Sequence, residues 1–161
     1  MTDIRIAAVC MNSPPGEIDH NLEKIETFSI QASEKGVDII CFPELSITGY
    51  TLENPKKMIS VVRSGEIIER VVETARVHGL VIAAGTMELT GEEERPYISQ
   101  VVAGPDGLLG IYRKTHLSPA EKAFYRPGHD ITTFSHRDVM RRVKTLCPDI
   151  SKIGSIFFIP F

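Results

Sequence analysis

Ile4 to Met11 reads IRIAAVCM, an almost unbroken apolar run of the kind a strand covered on both faces carries. Asn12-Ser13-Pro14-Pro15-Gly16 breaks it with turn-forming residues. Leu22, Ile25, Phe28, Ile30 and Ala32 then recur at roughly helical spacing, and Lys35-Gly36 supplies a helix stop. Val37 to Phe42 (VDIICF) predicts a second buried strand, ended by Pro43. Ile67, Ile68, Val71, Val72 and Ala75 form a second helical stripe, closed by Gly79 with His78 beside it at the carboxyl end. Leu80 to Ala84 (LVIAA) predicts a third buried strand. Ile98 to Ala103 and Leu108 to Tyr112 flank Gly104-Pro105-Asp106-Gly107, whose residues suit a hairpin.

Strand, helix, strand, helix, strand and then a hairpin predict an α/β fold with a mixed sheet. The loop from Gly91 to Pro96 (GEEERP) reads as solvent-exposed. No repeat, low-complexity tract or interdomain linker divides the chain, so residues 1–161 read as one domain, long enough to bury a core.

Composition narrows the function classes. The chain is 42% hydrophobic and 24% charged, as soluble globular proteins are. A formal net charge of −3 argues against a broad nucleic-acid surface. Arg137, Arg141, Arg142 and Lys144 form a short basic stretch, but Asp138 interrupts it and no aromatic is interleaved, so it reads as a solvated face. No apolar run reaches the roughly twenty residues of a membrane span. The start lacks the charged and apolar regions of a signal peptide, so the expected location is the cytoplasm. Three cysteines, Cys10, Cys41 and Cys147, show no CxxC spacing, which suits reduced thiols better than disulfides or a zinc site.

Two positions have the placement that chemistry needs. Glu44 directly follows an apolar strand and Pro43, at the carboxyl end where open α/β sheets place their sites. A carboxylate held there is partly desolvated, the condition that turns it into a usable general base. Lys114 likewise follows a strand, and a fixed ammonium can stabilise an oxyanion. Either residue by itself is more often an ordinary surface group. His116 and His129 lack a second ligand at recognisable metal spacing and read as packing or hydrogen-bonding residues. No glycine-rich phosphate loop follows any predicted strand, which disfavours a nucleotide-binding module.

Phe42-Pro43-Glu44-Leu45-Ser46-Ile47-Thr48-Gly49-Tyr50 resembles the glutamate motif of the nitrilase superfamily, the carbon–nitrogen hydrolases. Tyr112-Arg113-Lys114-Thr115-His116-Leu117 resembles its lysine motif, and Glu121 through Phe124 to Pro127-Gly128 its second-glutamate region. Asn21, Gly36-Val37-Asp38-Ile39-Ile40, Val81–Gly85 and the 104–107 hairpin add matches in the same order, over residues 4 to about 135. The resemblance implies an α–β–β–α sandwich, incomplete here at the carboxyl end, and a cysteine nucleophile. It implies Glu44 as the base that takes the thiol proton and Lys114 as the oxyanion stabiliser. Glu121 would position the substrate or assist proton transfer. The implied reaction attacks an amide, carbamoyl or nitrile carbon of a small molecule, expels the nitrogen group and hydrolyses the thioester. Amidase or carbamoylase chemistry is favoured over a true nitrilase. The resemblance requires no metal or organic cofactor and no membrane or nucleic-acid partner, and it implies homo-oligomerisation.

The nucleophile motif departs from the family pattern. Where it should fall stands Val143-Lys144-Thr145-Leu146-Cys147-Pro148-Asp149-Ile150-Ser151-Lys152-Ile153. In one alignment Cys147 is the nucleophile, with Pro148 replacing a tyrosine, and its spacing from Lys114 fits. In the other, Cys147-Pro148-Asp149 matches the helix start downstream, which suits Pro148 better and leaves the nucleophile absent. Ile156-Phe157-Phe158-Ile159-Pro160 resembles the next family strand, arriving early, and family members run on well past Phe161. Two functions are therefore expected: an active Glu–Lys–Cys hydrolase, or a truncated, inactive family member serving as an oligomerisation or interaction protein.

Overall fold

The computed structural model describes residues 4–53, 55, 64–90, 95–130 and 134. Five strands form one mixed sheet in sequence order, β1 (Ile6–Ala8), β2 (Ile39–Cys41), β3 (Val81–Glu88), β4 (Tyr97–Gly104) and β5 (Gly107–Arg113). β1, β2 and β3 run parallel, and β4 and β5 continue the sheet antiparallel. Two helices, α1 (Ile18–Glu34) and α2 (Ser64–His78), supply the crossovers that parallel strands require. This is the α/β architecture that the order of apolar runs predicts, with the mixed sheet and the nitrilase-like arrangement expected of the family.

Alternation along the strands sorts the core into two faces. Ile40, Phe42, Ile82, Ala84, Val101 and Ala103 point to the side packed by the helices. There they meet Leu22, Ile25 and Ala32 of α1 and Ile67, Val71 and Ala75 of α2, all buried. Ile39, Val81, Ala83 and Val102 point to the opposite side, with Leu109 and Phe134 against them. Both helices end as their glycines predict. Gly36 adopts φ 67°, its N–H donates to Ser33 O, and the Val37 N–H donates to Ala32 O. These two bonds cap the last turn, and a side chain at Gly36 would strain it.

β1 departs from expectation. The apolar run from Ile4 to Met11 predicts a strand covered on both faces, yet only Ile6–Ala8 pair, and Ile6 is 62% exposed. β1 is the outer strand among the described residues, with β2 as its partner, so one side of it meets solvent. β3 departs the other way: all eight of its residues are buried and it runs four residues past the predicted Ala84. Its extension, Gly85 to Glu88, is the floor on which the Glu44 segment lies. Among the described residues no helix is long and apolar enough to cross a membrane. The basic stretch at Arg137–Lys144 and the apolar residues Ile156–Pro160 lie outside the described residues.

Candidate active site

The segment after β2 is folded onto β3 by its own polar side chains. The Ile47 N–H donates to Gly85 O at 2.8 Å. In return the Ser46 hydroxyl accepts from the Gly85 N–H at 3.0 Å, and the Thr48 hydroxyl accepts from the Met87 N–H at 3.1 Å. Ser46, Ile47 and Thr48 are buried, and so is Asn21, whose amide donates to Ile47 O and Pro14 O and ties the start of α1 to the same turn. Leu45, buried, takes φ 54°, an uncommon backbone state for a branched side chain. The approach is close: a Cβ on Gly85 would lie 2.3 Å from Leu45 N and 2.8 Å from Pro43 O. Glu44 thus sits on a turn whose backbone has little room to move.

Lys114 is the first residue past β5. Its N–H donates to Ile98 O and its carbonyl accepts from the Gly128 N–H, both at 2.8 Å. Its ammonium reaches Glu44 Oε2 at 2.9 Å and Glu121 Oε1 at 3.1 Å. The three side chains are only 16%, 23% and 6% exposed. The directed hydrogen bond to Glu44 falls on Oε1, at 3.2 Å, although Oε2 is the nearer atom. Glu44 Oε2, buried, takes no directed hydrogen bond among the described residues. Each carboxylate oxygen of Glu44 keeps lone-pair capacity beyond its contact with the ammonium, so the group can still receive a proton.

Glu121 is gripped from two sides. It opens a single 3-10 turn, Glu121–Ala123. Its Oε2 accepts from the Ser118 N–H at 2.7 Å, while the Ser118 hydroxyl accepts from the Glu121 N–H at 3.3 Å. Ser118-Pro119-Ala120-Glu121 is thus a reciprocal capping box, a pattern legible in the sequence and overlooked there. Burial would push the Glu121 carboxyl up, but the bonds from Ser118 and Lys114 outweigh it and hold the group below its ordinary value. Burial would likewise push Lys114 down, and the two carboxylates hold it above the usual lysine value. Lys114 is therefore charged at neutral pH, flanked by two carboxylates.

Tyr125 closes the cluster from behind. Its ring is buried and its hydroxyl donates to Thr51 O at 2.6 Å, joining the second-glutamate region to the first motif. Sequence reading missed this residue, since nothing local marks a tyrosine whose partner lies on a distant loop. Tyr50, 47% exposed, feels both carboxylates: slight burial and the charges of Glu121 and Glu44 push its phenol up against the opposing pull of Lys114. An open cleft of about 480 Å³ lies along the same segment, lined by Thr115, His116, Leu117, Lys122, Tyr125 and Pro127 and by Arg95, whose guanidinium donates to Lys122 O. Glu44, Lys114 and Glu121 are not among its walls.

The structure thus brings together Glu44, Lys114 and Glu121. Cys147 lies outside the described residues. Of the other thiols, Cys10 is exposed and Cys41 half-buried, with the Cys41 thiol pushed up to about 11 by burial, which makes it a poor nucleophile. His116 is exposed, with Nδ1 2.9 Å from the Thr115 hydroxyl, and His129 is exposed as well.

A family model described as carbon–nitrogen hydrolase matches residues 5–155. A nitrilase from Pyrococcus abyssi is 38% identical over 128 residues, which are 78% of this chain and 48% of that protein. The structure of the NitN amidase from Nesterenkonia sp. AN1 superposes with a TM-score of 0.70 at 27% identity, over 84% of this chain and 54% of that one. A glutamate-to-glutamine variant of the same amidase, with a TM-score of 0.69 at 26% identity over 84% of this chain and 54% of its own, shows acrylamide added at its active-site cysteine. The chain spans about half the length of these relatives.

Proposed function

The chain belongs to the carbon–nitrogen hydrolase family, and on that premise we propose that it hydrolyses non-peptide C–N bonds of small molecules, amide or carbamoyl in preference to nitrile. In this reading Cys147 attacks the substrate carbon, Glu44 takes the thiol proton, and Lys114 stabilises the oxyanion that forms. The nitrogen group leaves with a proton returned from Glu44. Water, deprotonated by the same carboxylate, then cleaves the thioester and regenerates the thiol. Glu121 stays ionised throughout and holds Lys114 and the substrate nitrogen in place.

The observation that supports this most is the Lys114 ammonium set 2.9 Å and 3.1 Å from two largely buried carboxylates. A fixed positive charge in a partly water-excluded place is what a developing oxyanion requires. The preference for amides draws on the amidase likeness, and the covalent cysteine step on the adduct in that relative. The proposal includes residues 1–161 as one domain, a cytoplasmic location and assembly as a homo-oligomer.

Brief iodoacetamide treatment of the folded chain, followed by peptide mapping, tests it. Selective labelling of Cys147, slowed at least about tenfold in Glu44→Gln, together with release of ammonia from short aliphatic amides, is the expected result. Equal labelling of Cys10 and Cys147 with no turnover would favour the inactive, interaction-only family member instead.

A further inference from the structure

Arg113 precedes Lys114, and its side chain turns away from the carboxylates to a second charged cluster. Its guanidinium makes a forked pair with Glu88, Nε to Oε2 at 2.8 Å and Nη2 to Oε1 at 2.6 Å. The Ser99 hydroxyl donates to the same Glu88 Oε2 at 2.8 Å. Glu88, the last residue of β3, is 11% exposed along its side chain, and against the effect of burial the bonds from Arg113 and Ser99 hold its carboxyl below the ordinary value. Such a forked pair fixes orientation as well as charge.

The cluster also holds the far end of the loop that carries Glu121. Arg113 and Arg126 both lie over the Tyr97 ring, 4.5 Å and 4.0 Å from its centre. The Arg126 N–H donates to Pro96 O at 3.0 Å, and its guanidinium donates to the Thr90 hydroxyl at 2.6 Å. Two residues on, Gly128 packs so tightly that a Cβ there would lie 2.5 Å from Arg113 O and 2.7 Å from Arg113 Cβ. Lys114 and Gly128 then close the loop by the bond from Gly128 N–H to Lys114 O. The segment 114–128 is thus anchored at both ends on the ends of β3 and β4, and Lys114 and Glu121 meet across it.

We propose that Arg113, locked by Glu88 and Ser99, is a positioning residue that sets the reach of Lys114 to Glu121 and Glu44. The lock touches neither carboxylate. It acts by holding the backbone of β5 at its last residue and the returning strand of the loop beside it. Its catalytic meaning rests on the reading of Lys114 and Glu121 as active-site groups, while its geometry does not.

The test needs no substrate. Acylation of each lysine amine in the whole folded chain is followed against pH by mass spectrometry, for the parent chain and for Glu88→Gln, Arg113→Lys and Ser99→Ala. Among the described residues the groups facing Lys114 are Glu44 and Glu121, with Tyr50 near enough to sense the cluster. Loosening the lock weakens the carboxylate contacts, so the Lys114 midpoint drops by about half a unit and its acylation at fixed pH below the midpoint rises about threefold. Lys24 and Lys35, remote from the cluster, stay unchanged, which separates a local effect from general loosening. Ser99→Ala, the mildest change, decides the matter if the charged variants do not fold, with a smaller shift in the same direction. An unchanged Lys114 profile in every variant that folds overturns the proposal. Absence of turnover in the parent chain bears only on the hydrolase reading and leaves this result interpretable.

Discussion

At the scale of single residues, the site is a matter of which polar atoms find partners. Tyr125→Phe removes the hydroxyl bond to Thr51 O, with its weaker contact to Met87 Sδ at 3.9 Å, and leaves the Thr51 carbonyl short of a donor. A loss of about 1 kcal/mol in urea unfolding is expected, with the two loops less firmly joined. Glu121→Gln retains an oxygen for the Ser118 N–H but removes the charge that faces Lys114. Because the side chain is 6% exposed, a larger loss of about 1–3 kcal/mol is expected, and the Lys114 amine titrates lower in the variant. An unchanged Lys114 titration would mean that Glu44 by itself sustains the charge. Glu44 and Lys114 were legible in the sequence from their places after strand ends and from the family motif around each. Ser118 was legible in principle, three residues before a glutamate. Glu88 was not, since an acid within an apolar strand has no local mark of the arginine it will meet.

At the scale of elements, β3 decides where the Glu44 turn can lie. Gly85 is the one position where the strand has no side chain beneath the Pro43–Leu45 backbone, and the sub-3 Å clearances leave no space for a methyl group. Gly85→Ala must push the turn outward or bend β3. A loss of about 1–3 kcal/mol in chemical denaturation is expected, along with a longer Glu44–Lys114 distance in the variant's structure. A variant as stable as the parent, with the pair still at 2.9 Å, would show that the turn has slack. Ser46 offers a graded counterpart: Ser46→Ala leaves the buried Gly85 N–H unpaired without adding bulk, for about 1–2 kcal/mol. Periodicity gave the helices well, because α1 and α2 each bury one stripe and end at a glycine, although Ile30, expected in the α1 stripe, is exposed. It overestimated the burial of β1 and cut β3 short, because sheet order and the docking of a loop are not written in the local pattern.

At the scale of the whole molecule, the buried titratable groups set a pH window. Glu88 and Glu121 are held below the ordinary carboxylate value, Glu88 chiefly by its hydrogen bonds from Arg113 and Ser99 against the opposing effect of burial. The unfolded chain therefore binds protons before the folded one as pH falls. Their contribution is full above about pH 5 and is lost as pH falls through the depressed values. Cys41 is shifted the other way, from 9.0 to about 11 by burial, so the unfolded chain ionises first on the alkaline side. Its contribution is full below pH 9.0 and is lost between 9.0 and about 11. Lys114, held above its ordinary value, extends that alkaline limb. Thermal unfolding across pH is expected to show a plateau between these limits. Cys41→Ala should flatten the first part of the alkaline decline and leave the acid limb untouched. An acid limb that persists unchanged in Glu88→Gln would assign it to other carboxylates.

The sequence alone determined the order of elements, the mixed α/β class and the two motifs that carry Glu44 and Lys114. Those follow from the period of apolar residues and from short patterns that need no partner to be read. Tertiary structure decided that the Lys114 ammonium lies within about 3 Å of both Glu44 and Glu121, since Glu44 comes from a segment 70 residues away in the chain. It also decided that Gly85 makes room for the glutamate turn and that Glu88 and Arg113 lock the strand behind the lysine. Contacts between distant segments depend on sheet order and on the space that neighbours leave. Neither is encoded in any one stretch of chain.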